Sequence, residues 1–169
     1  MFYITTFLKN PLQKITNLDE IKFNTEKYFV DINNSKRIVE FLSILDFDYL
    51  DGAILIRYND EIIMDSTLWD LIDQLWSYIL NLIQEFINTG EAETFFPDQP
   101  VKIKLKKITK STVLFSVYNN SWQFDTNSFI KSLLDGAEVF FDKMAIYNIN
   151  EENYYKDELL RIMLLKKVL

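Results

Sequence analysis

The segment from Ser66 to Thr89 constrains this chain more than any other. Leu68, Leu71, Leu75, Ile79, Leu82 and Phe86 recur at helical spacing, and Trp69, Ile72, Trp76, Leu80, Ile83 and Ile87 form a second row beside them. Only a narrow stripe is polar: Asp70, Asp73, Gln74, Ser77, Asn81, Gln84, Glu85 and Asn88. A helix apolar over so much of its girth must be covered on two sides, so the pattern predicts a central helix. Asp65 or Ser66 is placed to cap its start, and Asp70 falls in the first turns, where the helix dipole favours an acid. Gly90 stands where a left-handed C-terminal residue belongs.

The flanking chain reads as strands. Phe2 to Leu8 forms the first, closed by Asn10-Pro11, and a second runs near Lys27 to Ile32. Ile38, Phe41, Leu42 and Leu45 fit a short helix from Ser35 to Leu45. Asp51-Gly52 opens a hairpin in which residues 53–58 alternate, turn at Asn59-Asp60 and return over Glu61 to Met64. Gly90 to Pro100 is the softest segment, ending in a turn fixed by Pro97 and Pro100. Val101, Ile103 and Leu105 then alternate with Lys102, Lys104 and Lys106, and the lysines read as a guard against edge pairing. A second hairpin turns at Asn119-Asn120. A helix capped by Asp125 or Thr126 runs from Asn127 to about Tyr147, and the last helix is capped by Asn150, with Glu151-Glu152 at its start and Lys166-Lys167 at its end. Strands arriving as hairpins exclude parallel winding. The order predicts one α+β domain over residues 1–169: a mostly antiparallel sheet of about five to seven strands, with a long central helix and two C-terminal helices packed on it.

The chain has no Cys and no His. Disulfides, thiolate nucleophiles, imidazole bases and the usual zinc ligands are therefore absent, and only carboxylate, Lys, Tyr, Ser or Thr chemistry remains. Three glycines cannot build a phosphate-binding loop. No cofactor and no metal is expected. Asp46-x-Asp48-x-x-Asp51-Gly52 has the wrong spacing for a calcium loop, and its twelfth position is Arg57 where a bidentate Glu is needed. No run of apolar residues is long enough to span a membrane, and the N-terminus lacks the basic start of a secretory leader. A cytoplasmic location is the expectation, and the richness in Ile, Asn, Lys, Phe and Tyr suggests an AT-rich bacterial genome.

The net charge of −7 is unevenly spread. From Glu40 to Asp98 there are thirteen acids against the single base Arg57, a net of −12, while residues 101–169 carry a net of +3. Gathered on one face, such acids repel nucleic acid and anionic membranes and attract basic partners; spread out, they are the solvated sides of strands and helices. The candidate binding residues are Asp46, Asp48, Asp51, Asp70, Asp73, Asp98 and the aromatic pair Phe95 and Phe96. Phe95 and Phe96 either anchor an interface from a loop pinned by Pro97 or lie under the sheet. Asp70 and Asp73, about one helical turn apart, are also the pair a carboxylate-dependent enzyme would use.

The segments Asp51-Gly52-Ala53-Ile54-Leu55-Ile56-Arg57-Tyr58, Trp69-Asp70-x-Ile72-Asp73-x-Leu75-Trp76, Phe96-Pro97-Asp98-Gln99-Pro100 and Leu133-Leu134-Asp135-Gly136-Ala137-Glu138 look like those of small uncharacterised bacterial proteins. In size and acidity the chain is similar to immunity proteins, which neutralise toxins delivered between bacteria. The resemblance is one of general character over residues 50–145 and transfers no functional residue. The acidic stretch and the missing imidazole and thiol chemistry point to a non-catalytic protein, in character like an immunity protein, whose acidic surface binds a basic protein partner. The alternatives are a carboxylate-dependent enzyme or small-molecule-binding protein, and a structural subunit whose last helix pairs through Leu160, Leu164 and Val168. Monomer and homodimer both remain open.

Overall fold

A computed structural model describes residues 1–148 and 154–169. In chain order, the described residues form β1 (Phe2–Lys9), α1 (Leu18–Phe23), α2 (Thr25–Tyr28), β2 (Phe29–Asp31), α3 (Ser35–Phe41), β3 (Asp51–Tyr58), β4 (Glu61–Met64), β5 (Asp70–Leu71) and α4 (Ile72–Thr89). There follow β6 (Glu91–Phe95), β7 (Lys102–Lys107), β8 (Thr112–Val117), β9 (Asn120–Asp125), α5 (Thr126–Tyr147) and α6 (Lys156–Lys167). The expected α+β class holds, and every strand pair is antiparallel, but the strands divide into two sheets. One has the order β2-β1-β3-β4 with β5 paired to the start of β3, and the other is the meander β6-β7-β8-β9. A single core of buried side chains joins both sheets to α4, α5 and α6.

The long helix starts later than its hydrophobic pattern implies. Residues Ser66–Leu68 form one 3-10 turn, capped by the Asp65 carboxylate accepting from the Thr67 N–H at 2.9 Å. Asp70 and Leu71 then run extended, opposite Gly52 and Asp51, and α4 begins only at Ile72. Asp70 and Trp69 therefore precede the helix, and Asp70 does not share a helical stripe with Asp73. The far end is as expected: Gly90 adopts a φ of 82° and its N–H closes on the Phe86 carbonyl.

Within α4, Ile72, Leu75, Trp76, Leu80 and Ile83 are fully buried. The Trp76 indole N–H donates to the Thr6 hydroxyl of β1 at 3.0 Å, so the largest core side chain leaves no polar atom unsatisfied. Gly136 lets α5 approach this point. A Cβ there would lie 2.8 Å from Ile4 and 3.2 Å from the Trp76 ring, which a packed core does not accommodate.

Other elements shift by small amounts. Residues 27–32 begin as the end of α2 and become strand only at Phe29. The 35–45 helix is α3 followed by a 3-10 turn over Leu42–Ile44, with the Asn34 side chain accepting from the Arg37 N–H. In the second hairpin Val117 faces Asn120, so the turn is Tyr118-Asn119, with Tyr118 carrying the positive φ of 54°. Gly90 to Pro100 is half strand, because Ala92 and Thr94 turn inward and Glu91 and Glu93 outward. β7 lies between β6 and β8, so its lysines do not guard an edge. The expected cap Asn150 and the acids Glu151 and Glu152 lie outside the described residues. On α6, Ile162 is fully buried, whereas Leu160 and Leu164 are exposed, as is Val168 just past its end. No helix among the described residues is long and apolar enough to cross a membrane.

Candidate binding surface at the start of the long helix

The pairing of β5 with the first residues of β3 brings two distant stretches of the acidic segment together. The loop that follows β6 closes on the same place. The Asp70 carboxylate accepts the backbone N–H groups of Leu71 at 2.7 Å, Asp98 at 3.1 Å and Gln99 at 3.1 Å. The Gln99 side-chain amide in turn donates to the Trp69 carbonyl. Asp70 is only 3% exposed. It is a latch that ties the 97–99 loop to the entry of α4, and its lone pairs are taken. Its carboxylate is buried, and it does not share the helical stripe with Asp73 that the sequence pattern implies.

The other predicted residues separate into three groups. Asp51 is neutralised: the Lys9 ammonium lies 3.2 Å from it and 5.6 Å from the Trp69 ring centroid. Phe96 is buried in the core, while Phe95 is half exposed with the Lys102 ammonium 5.1 Å from its ring. Asp46, Asp48, Asp73 and Asp98 form the third group, and none of them has an ion pair among the described residues.

Asp46 shapes its own loop by accepting the Asp48 N–H at 3.0 Å, which leaves the Asp48 carboxylate exposed. Asp73 sits in the first turn of α4. Burial pushes its carboxyl above the usual carboxylate range. Hydrogen bonds from the Asp73 and Gln74 N–H groups pull it back in part, and the charge of Asp48 pushes it up further. The Ile72 N–H donates to the Leu50 carbonyl at 2.8 Å, which brings the end of the 46–50 loop beside the entry of α4. Two exposed side chains lie in that loop region: Tyr49, 69% exposed, and Ile44, 52% exposed. Tyr49 is not among the candidate residues expected from the sequence. Its signal was local, an aromatic flanked by Asp48 and Asp51.

Elsewhere the acids of the same segment are answered by lysines. Glu93 pairs with Lys102 at 2.9 Å and Glu91 with Lys104, across the β6–β7 register. These bonds hold both glutamates below their usual range and raise Lys104. Arg57, the one base of the acidic stretch, lies near the end of β3. There it lines a cavity of about 450 Å³ with Phe7, Lys22, Leu55 and Ile62. Among the described residues no group of three or more acids is close enough to hold a metal ion. Comparison with protein-family models, curated proteins and solved structures finds no match.

Proposed function

We propose that this protein works by binding, presenting the face formed by Asp46, Asp48, Tyr49 and Asp73 to a basic surface of a protein partner, in the manner of an immunity protein. The observation that carries this reading is the contrast in charge pairing. Asp46, Asp48 and Asp73 have no ion pair among the described residues, whereas Asp51, Glu91 and Glu93 each pair with a lysine. Uncompensated like charges cost the free protein energy that a cationic partner would recover on association. They also steer a basic partner toward the face before contact. Tyr49 supplies an aromatic side chain of the kind that dominates interface energetics.

The test is capture from extracts of the source cells on the immobilised chain. At about 50 mM salt, where screening is weak, a basic protein is retained and raising the salt elutes it. The triple reversal Asp46→Lys, Asp48→Lys and Asp73→Lys reduces retention by on the order of 100-fold, because each buried or rim charge contact is inverted rather than removed. Reversal of Asp60 and Glu85, which lie at the far ends of β3 and α4, leaves it intact. Retention that ignores both the salt and the triple reversal sinks the reading.

A further inference from the structure

We infer that the acidic face contains a receptor pocket for one alkyl cation, the side chain of a lysine or arginine on the partner. The inference rests on the binding role proposed above and gives that role its central contact. Where α4 and α6 diverge they leave a cavity of about 240 Å³, lined by Asp73, Ser77, Tyr78, Tyr154, Tyr155 and Glu158. No Lys or Arg is among its described lining residues. Two carboxylates from different helices therefore face one concavity walled by tyrosine rings.

The walls are pre-organised. The Ser77 hydroxyl donates to Glu158 at 2.8 Å and fixes that carboxylate at the pocket. Arg161, the nearest cation on α6, is 3.7 Å from Glu158, but its guanidinium is turned to Asn81 at 2.6 Å and Gln84 at 3.0 Å. The ring of Tyr155 is anchored against Phe141 at 5.4 Å, and the ring of Tyr154 stands edge-on to it at 4.8 Å. Tyr78 and Tyr154 remain partly exposed, so the rings are reachable from solvent.

This combination has a specific chemical preference. A cation is attracted to the faces of aromatic rings, and more strongly where water is excluded. A carboxylate already stripped of much of its water, as Asp73 is, acts through a lower effective dielectric than a solvated one. The methylene stem of a lysine or arginine packs on the rings while its head reaches Asp73 and Glu158. An anion meets two negative charges, and a neutral alkyl group forfeits both interactions. Because Asp73 belongs to both, the pocket adjoins the face already described, where an inserted cation would act as its hot spot.

Small probes test the pocket without any partner. The full chain, isotopically labelled, is titrated with butylammonium and butylguanidinium chloride and, as the neutral control, with 1-butanol, at constant ionic strength. The cations give saturable chemical-shift changes at residues 73–78 and 154–158, with a dissociation constant of about 1–10 mM, as expected for so few heavy atoms. Asp73→Asn weakens binding about tenfold, and Tyr154→Ala about threefold, with no change in net charge in the latter. Conserved dispersion of all other resonances shows that both variants fold. Butanol binding as tightly as the cations, or cations shifting no pocket resonance, overturns the pocket. Capture in the extract experiment would survive that outcome, so failure of the pocket and failure of the binding face are separable.

Discussion

The two halves of the acidic segment treat their charge in opposite ways. On the β6–β7 ribbon, Glu91 and Glu93 stand opposite Lys106 and Lys104 and pair diagonally with Lys104 and Lys102, so acid and base alternate and the local field cancels. At the entry of α4, Asp46, Asp48 and Asp73 have no such partners among the described residues, and burial raises the proton affinity of Asp73. One region spends its charge on its own register. The other leaves it available to something outside the chain. Charge density along the sequence is therefore a poor guide to charge on the surface, because pairing depends on strand register and on which loop closes over which helix.

The largest effect expected from breaking this arrangement lies at the latch between the regions. Asp70→Ala leaves the N–H groups of Leu71, Asp98 and Gln99 without an acceptor in a site that is nearly closed to water. A cost of about 3 kcal/mol follows from unsatisfied buried donors, or roughly 10 °C in Tm for a domain of this size. Asp98→Ala, which removes an exposed carboxylate but keeps its backbone N–H on Asp70, leaves Tm within about 1 °C, as surface substitutions usually do. Thermal unfolding of the two variants separates them. Equal losses would show that Asp70 is not the latch.

That latch also marks the limit of what could be read from the sequence. The core rows of the long helix were legible because burial follows the 3.6-residue period, and Leu75, Trp76, Ile79, Leu82, Ile83 and Phe86 are all buried. Its true start was not. The bonds that hold Asp70 out of the helix come from residues 98 and 99, far along the chain, and no local pattern contains them. The strand Glu91–Phe95 was obscured for the same reason. Between Gly90 and Pro97 its five residues look like a loop until β7 pairs with them. At the candidate surface the residue types were legible and their fates were not. Phe95 and Phe96 are adjacent in sequence, yet one is half exposed and the other buried, because strand geometry sends them to opposite faces.

Asp73 gives a smaller effect with a definite sign. Its folded pKa is raised by burial and then by Asp48, so the folded state holds the proton more tightly than the unfolded state does. The favourable, protonated condition is complete below the unfolded value of about 3.9, and it is lost as pH rises through the higher folded value. Near neutrality the ionised carboxylate is thus a modest burden on the fold. Asp73→Asn raises Tm slightly at pH 7, and the gain shrinks to nothing as pH falls below the unfolded value. Urea titrations at several pH values test this. A destabilisation of Asp73→Asn at pH 7 would mean that the helix-entry hydrogen bonds outweigh burial and the face carries no electrostatic conflict.

The smallest effect belongs to the region that has already settled its charges. Glu91 and Glu93 are held below their usual range by Lys104 and Lys102, but both side chains are solvent-exposed. Exposed ion pairs gain little, because water and salt screen the attraction and holding two long side chains in place costs entropy. Replacing both glutamates with Gln therefore leaves Tm within experimental error at moderate salt, with a small fall appearing only at low ionic strength. The same double variant also leaves extract capture unchanged, although it removes as much negative charge from the chain as neutralising Asp46 and Asp48 does. If Glu91→Gln with Glu93→Gln weakened capture as much as Asp46→Asn with Asp48→Asn, the partner would be responding to net charge alone. The distinction between paired and unpaired acids would then have no functional content.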